Sequence, residues 1–385
     1  MHVGLNLVYL TPGETGGTET YARELIPELV AAAPEHRFTA FVNRDAAGTP
    51  GPWTELIASV TLPVSARNRL DWVRGEQALL PRLAARSGVA LLHSLANTGP
   101  AWGSFRRVVT VHDLIYEVVP EARAGLRARG MRVLLPLAVR RCDRVVAISA
   151  ATRSDLLRCV DVAPEIVDTV PSGIAPRRAQ PLPEPAIREL IGAEARPIVL
   201  SASAKLPHKN LPRLLGALAL IPAPSRPLLV LPGYPTAHEA QLRATAARLG
   251  VGDDVRFLGW VSAEQLEGLY AAARCFVFPS LYEGFGMPVL EAMARGVPVA
   301  CSARGSLAEV AGDAALTFDP ESEPQIAAAI ARLLTDAALA QRLRAAGREQ
   351  AQRFTWSATA AGTLASYERA MAGARTHRAR PQASG

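Results

Sequence analysis

Short runs of apolar residues alternate along the chain with longer stretches in which apolar residues recur at helical spacing. Strands that are apolar along their whole length are typical of parallel sheets covered on both faces by helices. The first half contains the runs VGLNLVYL, RFTAFVN, VALLHS, RRVVTVHD, CDRVVAIS and EIVDTVPSG. The second half contains PIVLSAS, PLLVLPG, DVRFLGWV, CFVFPS, PVACS and AALTFDP. The pattern predicts the α/β class, with two tandem Rossmann-like domains that each have a doubly wound parallel sheet.

The length of the chain and a proline-rich stretch indicate where the domains divide. A chain of 385 residues exceeds the size at which one hydrophobic core keeps growing. Residues 171–197 are rich in proline and are the best linker candidate, with a short helix inside them. Residues 322–372 have helical periodicity. We predict an N-terminal domain, a linker, a C-terminal domain, a C-terminal helix and a flexible tail at 1–175, 176–196, 197–355, 356–373 and 374–385.

Composition and charge limit the classes of partner. The formal net charge of +7 favours an anionic partner such as a nucleoside diphosphate or a phospholipid surface, and an arginine excess spread over a solvated surface explains it equally well. Nucleic-acid binding would rest on this charge alone, so we do not expect it. The four cysteines form no C-x-x-C pair, which argues against a zinc site and a disulfide framework. With no signal peptide and no apolar run of about 18 residues, we expect a cytoplasmic protein, soluble or peripheral at the inner face of the membrane.

The segment FVFPSLYEGFGMPVLEAMARGVPVACS, residues 276–302, carries the strongest chemical signal. An apolar strand leads into a loop with Glu283 and Gly286, and Pro288 then suits the first turn of a helix. Glu291, eight residues after Glu283, is expected in that first turn. Backbone N–H groups at a helix N-terminus attract an anion, and the two carboxylates could bind hydroxyls of a nucleotide sugar around it. On spacing alone, two solvated charges fit the pattern equally.

The same segment resembles the retaining nucleotide-sugar glycosyltransferases of family 4. The family motif E-G-F-G-x-P-x-x-E-A-M-A-x-G-x-P-V stands in this chain as EGFGMPVLEAMARGVPV. The resemblance extends through most of the chain and includes GGTETYAREL, VVTVHDLIYE, RVVAISAATRSDL, VPSGI and LAEVAGDAALTFDP. It implies the GT-B fold, in which two Rossmann-like domains face a central cleft and a C-terminal helix returns to the N-terminal domain.

The resemblance implies roles for the residues that match the family motif. Glu283 would bind hydroxyls of the transferred sugar, and Glu291 would bind the ribose hydroxyls of the nucleotide. The backbone of Phe285, Gly286 and Met287 would contact the sugar and the diphosphate.

It also implies roles outside that motif. Lys209 matches the family lysine that contacts the diphosphate. Gly16 and Gly17 match the paired glycines of the first loop, which approach the diphosphate. His112 matches a histidine near the transferred sugar and the acceptor. Val261 matches a strand end that binds the base through its backbone.

Three further positions have structural interpretations. Trp260 is interpreted as a packing residue, and His93 as a structural histidine whose hydrogen bonds are satisfied. Ser149 is interpreted as a helix N-cap.

The only lysines of the chain, Lys205 and Lys209, lie four residues apart on either side of His208. Many family members carry an arginine five or six positions before the lysine, where this chain has Ser203 and Ala204. Either Lys205 or His208 would replace that cation, with a slight preference for Lys205. Placement of Lys205 in a solvated loop is the alternative.

Residues 121–144 mix arginines with apolar residues. Gly130 and Pro136 are expected to interrupt any single long helix there. One interpretation is an acceptor-side or membrane-surface patch, and the other is an ordinary amphipathic element whose arginines lie in water.

We interpret the chain as a retaining hexosyltransferase that moves a sugar from a nucleoside-diphosphate donor to a hydroxyl of a saccharide, lipid-linked or small-molecule acceptor. The phrase LYEGFGMPVLEAMA most resembles bacterial mannosyltransferases of surface-polysaccharide assembly, so GDP-mannose is the first choice of donor and a UDP- or dTDP-sugar the next. Because the sequence has no D-x-D doublet and no Cys/His/Asp cluster, we expect no metal and no other cofactor. The alternatives are a nucleotide-sugar epimerase of similar fold and a non-catalytic nucleotide-sugar-binding assembly protein.

Overall fold

The computed structural model describes residues 1–123, 125–174, 177, 179–193, 195–234 and 236–373. The predicted tail at 374–385 lies outside the described residues. The chain divides into two compact units. Unit 1 comprises Met1–Tyr116, Gly125–Gly173 and the chain from Trp356 onward, and unit 2 comprises Glu117–Ala124 and Ile174–Thr355.

Unit 1 is built on a parallel sheet with the strand order β3-β2-β1-β4-β5-β6-β7 among its described residues. The strand order reverses beside β1, which pairs with both β2 and β4, and ligands of such sheets bind at the carboxyl ends of the strands near this point. The strands are β1 (His2–Leu7), β2 (Arg37–Val42), β3 (Ala58–Thr61), β4 (Leu91–Ser94), β5 (Arg106–Val111), β6 (Arg144–Ala147) and β7 (Val167–Thr169).

Unit 2 is built on a second parallel sheet, with the order β10-β9-β8-β11-β12-β13 in the part that the structure describes. Its strands are β8 (Ile198–Leu200), β9 (Leu228–Leu231), β10 (Val255–Phe257), β11 (Cys275–Phe278), β12 (Val299–Ser302) and β13 (Ala315–Phe318). Both sheets consist of short, parallel strands that are mostly buried and are connected through helices. The predicted fold class, two doubly wound parallel-sheet domains, is therefore confirmed.

Helices connect the strands and cover both sheets. The α-helices before residue 174 are α1 (Gly17–Ala32), α2 (Arg44–Ala47), α3 (Pro52–Glu55), α4 (Arg69–Arg74), α5 (Leu80–Arg86), α6 (Ile115–Val118), α7 (Leu126–Arg141) and α8 (Ala150–Cys159). Those after it are α9 (Glu184–Ile191), α10 (Leu211–Ala219), α11 (His238–Arg248), α12 (Ala263–Ala272), α13 (Met287–Ala294), α14 (Ser306–Ala311), α15 (Glu323–Thr335), α16 (Ala337–Gln352) and α17 (Trp356–Ala372). Helix α17 belongs to unit 1, where it packs against α1.

Each of the twelve apolar runs in the sequence contains one of these strands, and β3 is the strand that the pattern missed. Strand β3 has the sequence ASVT, and three of its four residues are exposed because it lies at the edge of the unit 1 sheet. Among the described residues of this edge strand, only Val60 packs against the hydrophobic core, so the strand has no need of consecutive apolar residues and leaves no hydrophobic signal.

Helix α7 corrects the prediction for the basic segment. It runs from Leu126 to Arg141 with Gly130 and Pro136 both inside it, so the expected interruption is wrong. Leu135 and other apolar residues on one face are buried, and tertiary packing of that kind outweighs the low helix propensity of glycine and proline. Among the described residues no helix, α7 included, is both long and apolar enough to cross a membrane.

Candidate active site

The loops after β8 and β11 bring two of the predicted site residues together in unit 2. Lys209 Nζ donates a hydrogen bond to Glu283 Oε1 at 2.6 Å, and each side chain is only 13% exposed. The ammonium also lies 5.3 Å from the centre of the Phe278 ring. A mostly buried ion pair of this kind offers a ligand both signs of charge. A phosphate oxygen can accept from the ammonium, and a sugar hydroxyl can donate to the carboxylate.

Asn210 fixes the position of Lys209. Its backbone has φ 58°, in the left-handed region that asparagine tolerates better than most residues. Its Nδ2 donates to the carbonyls of Pro279 at 3.0 Å and Pro320 at 2.7 Å, which follow β11 and β13. One amide group therefore ties the lysine turn to the ends of two strands. Sequence analysis did not propose Asn210, although its place directly after Lys209 was a signal.

Two buried serines fix the loop that carries Glu283. Ser280 Oγ donates to the carbonyl of His208 at 3.1 Å, which joins this loop to the lysine turn. Ser306 Oγ donates to the carbonyl of Glu283 at 2.8 Å. Both serines were missed from the sequence, because a serine beside a strand end has many possible partners and only the fold selects one.

Helix α13 begins at the glycine of the family motif. Gly286 has φ 120°, and a Cβ there would lie 2.8 Å from Leu307 Cδ2, so both conformation and space require glycine. Met287 and Pro288 are the first two helical residues, as expected for proline. Phe285 is buried and its ring contacts Phe354 edge to face. The first N–H groups of a helix have no intrahelical partner, so this start suits an anion.

Glu291 lies further along α13 than predicted. It is the fifth helical residue and so belongs to the second turn, which corrects the expected first-turn position. The hydroxyl of Tyr270 donates to Glu291 Oε2 at 3.3 Å and orients the carboxylate. Glu291 and Glu283 thus stand on separate supports, one a helix and the other a loop.

The slight preference for Lys205 as the replacement cation is not supported by its surroundings. Lys205 is fully buried, and its Nζ donates to the carbonyls of Gly233 at 2.8 Å and Leu258 at 2.7 Å. Glu239 Oε2 lies 3.4 Å away. Burial lowers the pKa of the Lys205 ammonium, and the charge of Glu239 partly offsets this. This ammonium holds two loops together, and its placement in a solvated loop is also wrong.

The surroundings of His208 do not support it as the replacement cation either. Burial, with the charge of Lys209 as the second cause, lowers the pKa of His208 to about 4. Its ring is therefore uncharged at neutral pH. The phosphate-binding role of this stretch therefore stays a prediction for Lys209.

The loops braced by Lys205 carry two exposed aromatic residues. Trp260 is 75% exposed, so its interpretation as a packing residue is wrong. Its ring meets that of Tyr234 edge to face at 5.5 Å. Val261, the predicted base-binding position, directly follows Trp260 after the end of β10 and is partly exposed.

In unit 1, His112 is buried just after β5. Its Nε2 lies 2.7 Å from the carbonyl of Leu95, and because a carbonyl only accepts, Nε2 carries the proton. Its backbone N–H donates to Asn97 Oδ1 at 2.7 Å, and the ring of Tyr21 packs edge to face against the imidazole. Burial lowers the pKa of His112 to about 4, so the ring is neutral at physiological pH and Nδ1 is an acceptor.

The paired glycines lie at the start of α1. Gly16 has φ 61°, and Gly17 is the first helical residue. A Cβ at either position would meet no atom within 4 Å. The surrounding packing does not demand glycine at Gly17, which fits a helix start left open for a ligand to approach closely.

The structural interpretations of His93 and Ser149 are confirmed. His93 Nδ1 is 2.7 Å from the Tyr367 hydroxyl and Nε2 is 2.8 Å from Thr110 Oγ1. Ser149 caps α8 by accepting from the Thr152 N–H. All four cysteines lie in the described residues and none forms a disulfide. Within the described part of the chain, no group of three or more His, Cys, Asp or Glu side chains could hold a metal ion, and the expected independence from metal stays a prediction.

Sequence analysis also missed a buried carboxylate in unit 1. Glu76 is fully buried, and its carboxylate accepts hydrogen bonds from Asn6, Thr98 and Gln77. Burial raises its pKa from 4.5 to about 7, although the three hydrogen bonds oppose the rise.

The stability of the protein should therefore depend on pH through Glu76. With a folded-state pKa of about 7 against an ordinary 4.5, the folded chain binds more protons than the unfolded chain between these values. Stability from this group is present at low pH and lost as pH rises through that window. The Glu76→Gln variant should gain stability relative to wild type as pH rises, with a slope approaching about 1.4 kcal/mol per pH unit. Urea unfolding measures the free energy of unfolding of both proteins at several pH values between the unfolded-state and folded-state pKa of Glu76. A difference between the two proteins that does not change with pH would contradict the prediction.

Comparison with known proteins identifies the family to which the chain belongs. The model described as glycosyl transferases group 1 matches residues 184–350, and the model of glycosyltransferase family 4 matches residues 15–178. The O-antigen chain mannosyltransferase B of Escherichia coli is 36% identical over 68% of this chain and 70% of its own length. The MMP alpha-(1->4)-mannosyltransferase of Mycolicibacterium hassiacum is 32% identical over 85% of this chain and 77% of its own length.

Solved structures share the fold over nearly the full length of the chain. Sucrose-phosphate synthase from Thermosynechococcus elongatus superposes with a TM-score of 0.78 at 24% identity, over 97% of this chain and 100% of that one. Anabaena HepE in complex with UDP and glucose superposes with a TM-score of 0.73 at 20% identity, over 96% of this chain and 99% of that one. At these identities the likeness shows the fold. The chain therefore belongs to glycosyltransferase family 4, is related to its mannosyltransferases and has the GT-B fold.

Proposed function

We propose that this glycosyltransferase is a metal-independent, retaining mannosyltransferase that uses GDP-mannose as its donor. The observation that carries the proposal is the Lys209–Glu283 pair, held beside the start of α13 by Asn210, Ser280 and Ser306. It combines a cation, a helix N-terminus and a carboxylate, which a diphosphate linked to a sugar requires. Mannose is favoured because both relatives named above are mannosyltransferases.

Each group then has a part in the transfer. The acceptor oxygen attacks the anomeric carbon on the face from which the diphosphate leaves, the bond from that carbon to the phosphate oxygen breaks, and this oxygen takes the acceptor proton. Lys209 and the N–H groups at the start of α13 stabilise the negative charge that builds on the phosphate. Glu283 binds sugar hydroxyls, Glu291 binds ribose hydroxyls, and the Val261 backbone binds the base. Neutral His112 accepts a hydrogen bond at Nδ1 from the sugar or the acceptor.

The acceptor is proposed to be a saccharide hydroxyl, free or lipid-linked. The exposed arginines of α7, among them Arg140 and Arg141, would suit contact with an anionic membrane surface that carries such an acceptor. The epimerase and the non-catalytic binding protein have less support, because both relatives are transferases and Lys209, Glu283, Glu291 and His112 are all present.

A panel of nucleotide sugars tests the proposal. GDP-mannose, UDP-glucose and a dTDP-sugar are each incubated with the enzyme and mannoside acceptors, and the anomeric configuration of the product is read by NMR. Transfer from GDP-mannose with retention is expected. A preference for a UDP- or dTDP-sugar would overturn the donor, and an inverted product would overturn the same-face mechanism.

Activity should also survive excess EDTA. A cation and a helix N-terminus already face the leaving group, so a divalent ion has little charge left to neutralise. Turnover within twofold of the untreated enzyme is expected, at the same ionic strength. Loss of turnover that Mn²⁺ or Mg²⁺ restores would contradict the prediction.

A further inference from the structure

Glu76 lies in a π-helical turn, Gly75–Leu79, which interrupts the helix between α4 and α5. The helix approaches the rest of unit 1 closely there, since a Cβ on Gly75 would lie 2.7 Å from Val64 Cγ2. Turns of this kind are uncommon and frequently mark functional sites. This one directs a carboxylate into the interior beside Asn6 and Ser94, at the ends of β1 and β4, which is the switch point of the sheet.

The contacts of this carboxylate all come from neutral donors. Glu76 Oε1 accepts from Asn6 Nδ2 at 3.1 Å and from Thr98 Oγ1 at 3.0 Å, and Oε2 accepts from Gln77 Nε2 at 3.3 Å. In the described part of the chain it forms no ion pair. A buried carboxylate without a cation is costly, as the raised pKa of Glu76 reflects, so packing alone does not account for an ionisable group at this position.

Glu76 and Gln77 together fix the segment that follows β4, residues 95–102. Gln77 Nε2 donates to the carbonyl of Gly99 at 2.9 Å, and Gln77 Oε1 accepts from the Ala101 N–H at 3.1 Å. Thr98 is held by Glu76 itself. The segment is thus pinned at three points by two adjacent side chains.

The same segment holds His112 from two sides. The carbonyl of Leu95 accepts from His112 Nε2, and Asn97 Oδ1 accepts from the His112 backbone N–H, both at 2.7 Å. Asn97 Nδ2 also donates to the carbonyl of Asp113 at 3.2 Å. The orientation of the His112 imidazole is therefore set by Leu95 and Asn97, which belong to the segment that Glu76 and Gln77 hold.

We propose that Glu76 is a positioning residue for transfer, which fixes segment 95–102 and through it the orientation of His112. The proposal rests on the proposed function, because it assumes that His112 acts at the transferred sugar or the acceptor. Glu76 does not touch the substrate, so it acts on the rate of transfer and not on donor binding.

The three converging donors explain why the residue is a carboxylate. A glutamine at position 76 could accept from Asn6 and Thr98 through its oxygen, but its amide nitrogen would then face Gln77 Nε2. Reversing the Gln77 amide would relieve that clash and would break its contacts with Gly99 and Ala101. The isosteric Glu76→Gln variant should therefore release the segment without leaving a cavity.

The test compares Glu76→Gln with a matched control in the same sheet. Asp143→Asn removes a partly buried carboxylate charge that pairs with Arg106 at the amino end of β5. We expect Glu76→Gln to lower kcat by about 10–100-fold, as a displaced catalytic group does, with the donor KM within twofold. Asp143→Asn should leave kcat and donor KM unchanged. If Glu76→Gln destabilises the fold, Thr98→Val, which removes one donor, should show the same pattern more weakly.

A double-mutant cycle separates positioning from general destabilisation. In a His112→Ala background, Glu76→Gln should have no further effect on kcat, because the group it orients is gone. The His112 Nε2 proton, followed by NMR, should exchange with water at least about tenfold faster in Glu76→Gln than in wild type as its carbonyl partner is released. Additive effects on kcat with unchanged proton exchange would overturn the proposal. If wild type transfers no sugar from any nucleotide donor, the proposed function fails, and the exchange measurement still tests the link between Glu76 and His112.

Discussion

Replacing Lys209 by Ala is expected to lower kcat by about 10²–10³-fold, the usual cost of removing one preorganised group that stabilises developing charge. The ammonium is held 2.6 Å from Glu283 and is fixed through Asn210, so it needs little reorganisation when charge builds on the leaving diphosphate. Lys209→Arg should recover only part of the rate, since a planar guanidinium cannot occupy the position of a compact ammonium. Steady-state kinetics with the preferred donor measures both variants.

The second lysine of the chain provides the control. Lys205→Met keeps most of the buried side-chain volume but removes the bonds to Gly233 and Leu258, so it should lower the melting temperature and weaken donor binding. It should couple to Lys209→Ala by less than about 0.5 kcal/mol, because the two ammonium groups share no partner. Strong coupling would indicate that Lys205 also contacts the diphosphate. If Lys209→Ala leaves kcat unchanged, the hypothesis that residues 201–210 bind the diphosphate is wrong.

The two lysines also show where sequence reasoning reaches its limit. Apolar runs predicted the strands because a parallel strand buried on both faces leaves a direct trace in composition. The exposed edge strand β3 leaves no such trace. Burial of a polar residue is set by distant chain segments. The carbonyls that receive Lys205 lie 28 and 53 residues further along, and spacing within SASAKLPHKN could not reveal them.

The candidate site also contains residues that the sequence predicts and residues that only the structure reveals. The proposed ligand-binding residues Glu283, Glu291 and Lys209 could be predicted from the family resemblance, the first two through the motif itself. Their supports could not, since Asn210 and Ser306 act through partners that the fold alone brings near. The Glu76 network is an extreme case, because it joins Asn6 of β1 to Thr98, which follows the neighbouring strand β4 but is distant in the sequence.

The two motif glutamates should separate kinetically. Glu283→Ala is expected to lower kcat by about 10²-fold or more with a small change in donor KM, since the transferred sugar is the part of the donor whose charge and shape change during the reaction. Removing Glu283 also leaves Lys209 without its 2.6 Å partner, so a Glu283→Gln variant, which retains an acceptor oxygen, should lose less.

Glu291→Ala should instead raise the donor KM by about tenfold with kcat changed little, because ribose hydroxyls are bound equally in the ground and transition states. Its support is independent of Lys209, since Tyr270 orients it from α12. Binding of the free nucleoside diphosphate gives a reading without turnover: Glu291→Ala should weaken it, and Glu283→Ala should not. Tyr270→Phe is the matched control, and it should reproduce the Glu291→Ala effect more weakly. If Glu283→Ala weakens nucleotide binding as much as Glu291→Ala does, the assignment of Glu283 to the sugar and Glu291 to the ribose is wrong. Near-normal turnover in both variants would refute the proposed active site.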